Sequence, residues 1–194
     1  FGLSPNSKVK MTLNGDPYNP QSPKDAIAAG VFMCPKDRAS NAVISEFDIS
    51  NNLAIPFFKK HSSMSFLRSK SLTQNAKNSI DELGIVCQSE MDSVTTLSGG
   101  NQQKVMVGRW LAEESFVLLL DEPFQGVDIK ARRDIGLQIR STSGKRATLI
   151  FVAELDEALE IADRVIVLHE GNLVGEYQNK SKNIPEIVSS FSGS

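Results

Sequence analysis

Residues 116–123 read Phe-Val-Leu-Leu-Leu-Asp-Glu-Pro, an apolar run that stops abruptly at two carboxylates, Asp121 and Glu122. A near-continuous apolar strand of this kind is expected to be buried on both faces, as in a parallel α/β sheet. In such sheets, ligands bind at the C-terminal ends of the strands, which is where the two carboxylates stand. The first could hold Mg²⁺, directly or through water, and the second could orient or deprotonate an attacking water. A buried strand ending in a solvated acidic turn is equally compatible with these eight residues alone.

On either side, strand-like and helix-like segments alternate. Residues 8–13 are strand-like and Asn14-Gly15-Asp16-Pro17 turns them. Ser22-Pro23 reads as an N-cap and first helical residue, with the short helix ended at Gly30, and residues 31–34 form a short buried strand. Leu72, Ala76, Ile80 and Leu83 fall on one helical face that stops at Gly84. Strands return at 116–120, 147–152, 164–168 and 172–177, so residues 37–96 read as a mostly helical insertion in an α/β core. Residues 178–194 form a tail, with a polar linker at 178–182 and a last short helix to about Phe191.

Composition narrows the function. Lys and Arg number 21 against 23 Asp and Glu, a formal charge of −2, so there is no large basic field of the kind that drives non-specific nucleic-acid binding. Nucleic acid is not an expected partner. The strongest apolar run, 116–120, is far below the roughly 18 residues that span a bilayer. Cys34 and Cys87 lack metal-ligand or disulfide-framework spacing and are expected to be reduced thiols.

Residues 97–105 read Leu-Ser-Gly-Gly-Asn-Gln-Gln-Lys-Val and open a segment whose Met106, Val107, Trp110 and Leu111 recur at helical spacing. Glycines let a backbone approach an anion, and a helix N-terminus offers unpaired N–H groups at the positive end of its dipole, so this is a phosphate-type site. The run 97–105, then the strand 116–123, then Gly126-Val127-Asp128, resembles the ATP-binding-cassette ATPase family in the order signature motif, Walker B, D-loop. Asn101-Gln102-Gln103 with Lys104-Val105 and Arg109-Trp110-Leu111 resembles the branch that powers bacterial uptake of monosaccharides or nucleosides.

The resemblance implies a P-loop-type α/β core with a helical subdomain, and cofactors ATP and Mg²⁺. It implies that Ser98, Gly99 and Gly100 contact the γ-phosphate of ATP held by a second, facing cassette. It further implies that Asp121 serves Mg²⁺, Glu122 the attacking water and Asp128 the contact between cassettes. Implied partners are that second cassette, transmembrane permease subunits docked on the insertion and, indirectly, a sugar-binding protein outside the membrane. The implied location is the cytoplasmic face of the membrane, peripherally.

The pattern has departures. No G-x-x-x-x-G-K-[ST] occurs; Gly144-Lys145 is followed by Arg146 and reads as a turn. In the family the phosphate loop precedes a Phe-Gly like Phe1-Gly2, so this partial cassette is expected to be a piece of a longer protein whose phosphate loop lies upstream. Lys36 stands where the family has the Q-loop glutamine, and Ala153 where it has the switch histidine; His61 and His169 are read as surface or core histidines. These departures suggest the second, weaker cassette of a tandem protein, and they leave open a non-hydrolysing half that only lends its signature to its partner. Chromosome-type relatives would need a long heptad coiled coil before the signature, where this chain has about sixty non-heptad residues. Of the insertion's apolar residues, Ile55, Phe57, Phe58, Phe66 and Leu67 either face a partner or close its core.

Overall fold

A computed structural model describes residues 1–2, 10–37, 43–63, 66–67, 69–144 and 146–191. Three short parallel strands form the central sheet: β3 (Val31–Cys34), β6 (Val117–Asp121) and β7 (Ala147–Phe151), in the order β3-β6-β7. Val31 pairs with Val117 and Cys34 with Leu120, while Asp121 pairs with Phe151. The two carboxylates therefore leave the middle strand at the C-terminal edge of the sheet.

Before the sheet come a small hairpin, β1 (Thr12–Leu13) with β2 (Asp16–Pro17), and α1 (Pro23–Ala28). The strand expected over 8–13 is two residues long where it is described, and residues 8–9 lie outside the described residues. The Ser22 N-cap is real: its Oγ accepts from Asp25 N at 3.2 Å and donates to the Asp25 carboxylate at 2.8 Å.

Between β3 and β6 lie α2 (Ile49–Ala54), a 3₁₀ stretch (Ile55–His61), the antiparallel pair β4 (Ser62–Ser63) and β5 (Phe66–Leu67), and α3 (Ser69–Leu83). A 3₁₀ turn (Val94–Thr96) then leads into α4 (Gly99–Leu111). After β6 follow α5 (Ile129–Ser141), β7, α6 (Leu155–Ile161), the hairpin β8 (Arg164–His169) with β9 (Asn172–Gln178), a 3₁₀ turn (Ser181–Asn183) and α7 (Ile184–Phe191).

One face of the sheet is dry. Phe32, Cys34, Leu118 and Leu120 pack under Met106, Val107 and Trp110 of α4 and Ile135 and Ile139 of α5. Phe57 joins this core, its ring 5.2 Å from Phe32 and 6.0 Å from Trp110, so it closes the core and does not face outward. The opposite face differs from the expectation of two-sided burial. Leu118 and Leu120 are fully buried, but Val117 and Leu119 are only half-buried, and Leu149 and Phe151 of β7 are exposed. Among the described residues no helix layer covers that side as α4 and α5 cover the other.

Helix α4 is the hub. Its second flank meets Ile49 and Leu53 of α2 and Ala76 and Leu83 of α3 in a separate core. Gly108 permits the closeness: a Cβ there would overlap Leu83 Cδ1. A third core joins Val165 and Val167 of β8 to Ile187 of α7.

Candidate nucleotide site

The chain brings the predicted site residues into two groups. In the first, β6 ends in a tight turn. Glu122 N donates to Phe151 O at 2.9 Å and Gln125 N to Glu122 O at 3.1 Å, with Pro123 and Phe124 buried behind them. Glu122 takes φ 49°, a left-handed conformation that costs a non-glycine residue about 1–3 kcal/mol and that collects at functional positions. The turn fixes where the carboxylate can point.

Lys36, just beyond β3, places Nζ 3.9 Å from Glu122 Oε1, an ion pair with Lys36 half-exposed and Glu122 mostly covered. Further acidic groups stand nearby. Burial pushes the Glu157 carboxyl above its usual range; the Arg132 guanidinium lowers it, and Glu122, Asp156 and Glu154 raise it. Arg132 offsets this density, its Nη1 3.0 Å from Asp156 and its Nε 3.1 Å from Glu160. Ala153 is exposed between β7 and α6 and offers no polar side chain, and His169 is exposed at the end of β8.

Asp121 supplies one carboxylate at the strand end. Among the described residues, no group of three or more His, Cys, Asp or Glu could hold a metal ion. Mg²⁺ is commonly held by one or two carboxylates together with substrate phosphates and waters, so Asp121 fits one ligand of a nucleotide-bound ion and not a dedicated protein cage.

The second group surrounds the start of α4. Ser98 is the N-cap, exposed, with extended backbone (φ −60°, ψ 157°), and Gly99 and Gly100 form the first turn. Ser98 Oγ accepts from Asn101 Nδ2 at 3.1 Å and, more weakly, from Asn101 N at 3.4 Å. Asp128 caps α5, its Oδ1 accepting from Ala131 N at 2.8 Å. The two helix starts abut: a Cβ on Gly100 would lie 3.2 Å from Ala131 Cβ and 3.9 Å from Asp128 Oδ2. Ser98, Gly99, Gly100 and Asp128 thus share one surface at two helix N-termini, each the positive end of a helix dipole.

Sequence reasoning did not identify the polar residues that hold this surface. Lys104, almost fully buried, donates to Gly84 O at 2.9 Å and to Asp134 Oδ2 at 2.7 Å, tying α4 to the turn after α3 and to α5. Arg109, also buried, donates from Nε to Asn52 O at 2.6 Å and from Nη2 to Asn52 Oδ1 at 3.3 Å. Burial lowers the Arg109 guanidinium to about 10, which still leaves it charged at neutral pH. Asn52 has no exposure and uses its amide to hold Ile44, Phe47 and Asp48. The available signal was the run 104–111, apolar on all sides of a helix, which forces its two cations inside.

Comparison with known proteins identifies the family and the fold. The family described as ABC transporter matches residues 2–125. The arabinose import ATP-binding protein AraG of Pectobacterium atrosepticum is 36% identical over 191 residues, covering 97% of this chain and 38% of that protein. The ribose import ATP-binding protein RbsA 2 of Rubrobacter xylanophilus is 32% identical over 194 residues, 100% of this chain and 37% of that protein. The chain thus spans little more than a third of the relatives' length. Among solved structures, the ADP conformation of MJ1267, an ATP-binding cassette of an ABC transporter, aligns with a TM-score of 0.76 at 18% identity, covering 100% of this chain and 80% of that one. A dimeric post-hydrolysis cassette, MJ0796 bound to ADP and Pi, aligns with a TM-score of 0.70 at 19% identity, covering 87% and 72%. The α/β cassette fold is shared with both, and the chain belongs to the ABC transporter family.

Proposed function

We propose that this chain is the signature-bearing part of a nucleotide-binding domain that couples ATP hydrolysis to import of a monosaccharide. The observation that carries the reading is the surface at the start of α4, where the exposed Ser98 hydroxyl caps the helix and Gly99 and Gly100 open its first turn. Such a surface binds a phosphate presented from outside, and a second cassette facing this one would present it. Ser98, Gly99 and Gly100 then hold the γ-phosphate of the partner's ATP, and Asp128 contacts the partner cassette.

At the strand end, Asp121 would be a ligand of Mg²⁺ carried in with ATP, an ion that neutralises charge on the phosphate oxygens. Glu122 would orient or deprotonate the attacking water. The further partners are permease subunits, docked on the 37–96 insertion, and a sugar-binding protein outside the membrane; nucleic acid is not among them. Among the described residues no helix is long and apolar enough to cross a membrane. The chain would attach peripherally to the cytoplasmic face through the permease.

A second reading is favoured by one contact, the Lys36–Glu122 pair. With Lys36 on the carboxylate and Ala153 at the switch position, this half holds its site unready and contributes chiefly its signature. Calorimetric titration tests the common ground of both readings. These 194 residues contain no phosphate loop and should show no micromolar binding of Mg-ATP, whereas the full-length protein should bind it. Micromolar binding by the 194-residue chain alone would overturn the assignment of its site residues.

A further inference from the structure

The signature serine is held from one side only. Val86 N donates to Asn101 Oδ1 at 3.0 Å, and Asn101 Nδ2 donates to Ser98 Oγ at 3.1 Å. A backbone N–H can only donate, so the amide oxygen of Asn101 must face Val86 and its NH₂ must face Ser98. The order of donors is therefore fixed by the chemistry of the chain. A hydroxyl has two lone pairs and one proton. Asn101 Nδ2 and Asn101 N take the two lone pairs, which leaves the proton as the free valence of Ser98 Oγ. A free O–H donor beside helix-terminal N–H groups matches a phosphate oxygen and not a cation.

The far end of this chain of bonds is firmly placed. Val86 follows the turn that ends α3, where Gly84 takes φ 57° and Ile85 N donates back to Ile80 O at 2.9 Å. Ile85 is buried in the core shared by α2, α3 and α4. The same turn is gripped a second time, since Gly84 O accepts from Lys104, three residues along α4 from Asn101. Asn101 and Lys104 thus clip the turn after α3 onto one face of α4.

Resting on the signature reading given above, we propose that Asn101 is a positioning residue. It transmits the placement of the turn after α3 to Ser98 and turns the Ser98 hydroxyl proton toward the partner's γ-phosphate. A shift of residues 84–86 relative to α4 breaks the Val86 bond, frees the amide to rotate, and removes the donor that orients Ser98. The carboxamide is needed for both jobs: Leu at 101 does neither, and Asp accepts from Val86 but cannot donate to Ser98 at neutral pH.

The experiment is steady-state ATPase kinetics of the full-length protein with its permease, for Ser98→Ala, Asn101→Leu, the double variant and Asn101→Asp, with thermal midpoints measured alongside. Misplacing a reacting or binding group by about an ångström costs on the order of 10²-fold, so Asn101→Leu should lower kcat roughly tenfold to a hundredfold. In the Ser98→Ala background the same change should add less than about twofold, the coupling expected of groups acting through one contact. Asn101→Asp should lose kcat as Asn101→Leu does while keeping the wild-type midpoint, which separates misorientation from misfolding. Equal losses from Asn101→Leu in both backgrounds, or wild-type kcat for Asn101→Asp, overturn the inference and leave the signature reading standing. Wild-type turnover in Ser98→Ala overturns the signature reading and this inference together.

Discussion

The start of α4 and the end of β6 are both candidate phosphate-facing sites, yet they are built in opposite ways. At the start of α4, the polar valences of Ser98 are consumed inward by Asn101, and what remains pointing out is a donor. At the end of β6, Glu122 sits in a strained turn among Glu154, Asp156 and Glu157, with Lys36 drawn up to it. The first surface is preorganised for an anion that arrives from elsewhere. The second is an acidic cluster whose strand-end carboxylate has a half-exposed lysine 3.9 Å away. Activity in the whole assembly should therefore depend more on what this chain lends than on what it hydrolyses.

The widest test of that asymmetry compares Ser98→Arg with Glu122→Gln in the full-length protein. Arg at 98 fills the space before the start of α4 and should abolish most turnover. A general base contributes ~10²–10⁴ in rate where its site is otherwise assembled. On the reading in which Lys36 and Ala153 disarm this one, Glu122→Gln should leave a large fraction of turnover. Steady-state rates decide; equal inactivity of the two variants would make this half hydrolytically essential.

Arg109→Met comes next. It keeps much of the stem volume but removes two hydrogen bonds and strands the Asn52 carbonyl in a dry core, a loss of ~2–3 kcal/mol for bonds to a charged donor. Chemical denaturation should show a lower midpoint, and α2 should lose protection from amide exchange before α4 does. Uniform loss of protection would mean that Arg109 supports the whole core instead of joining α2 to α4.

Lys36→Gln should have a smaller and opposite effect. A partly exposed pair is worth ~0–1 kcal/mol, so releasing Glu122 should raise kcat by no more than about fivefold. Lys36→Arg should stay at the wild-type value. An unchanged rate in Lys36→Gln would make the pair incidental.

The smallest effect concerns pH. Burial raises the folded-state carboxyl of Glu157, so the folded chain binds more protons than the unfolded chain between the ordinary glutamate range and that raised value. Stability from this group is then present at low pH and lost as pH rises through the folded pKa. Glu157→Gln should flatten this decline, read as a smaller difference in thermal midpoint between mildly acidic and neutral buffer.

How much of this was legible in the sequence follows from the range of each interaction. Ser22-Pro23 announced α1 because a cap bonds within its own turn, and the stripe through Leu72, Ala76, Ile80 and Leu83 announced α3 because one face repeats. The Ser-Gly-Gly run and the apolar strand ending in two carboxylates marked candidate sites for the same local reason. That Val117 and Leu119 of β6 are only half-buried was not legible, since an apolar run records what a strand tolerates and not which layers cover it. Lys36–Glu122 and Arg109–Asn52 were invisible because each joins residues far apart in the chain, and a lone cation in a sequence reads as a solvated one.

The sheet's connectivity carries a consequence for how the chain folds. Val31 pairs with Val117 across all of α2, α3 and α4, so the first parallel ladder closes a long loop of the chain. Loop-closure entropy precedes the reward from such contacts, which makes parallel pairing slow. Until it forms, the apolar strand 117–121 waits unpaired, and even afterwards Leu149 and Phe151 of β7 remain open to solvent. Refolding of these residues on their own should accordingly compete with aggregation, and increasingly so as protein concentration rises.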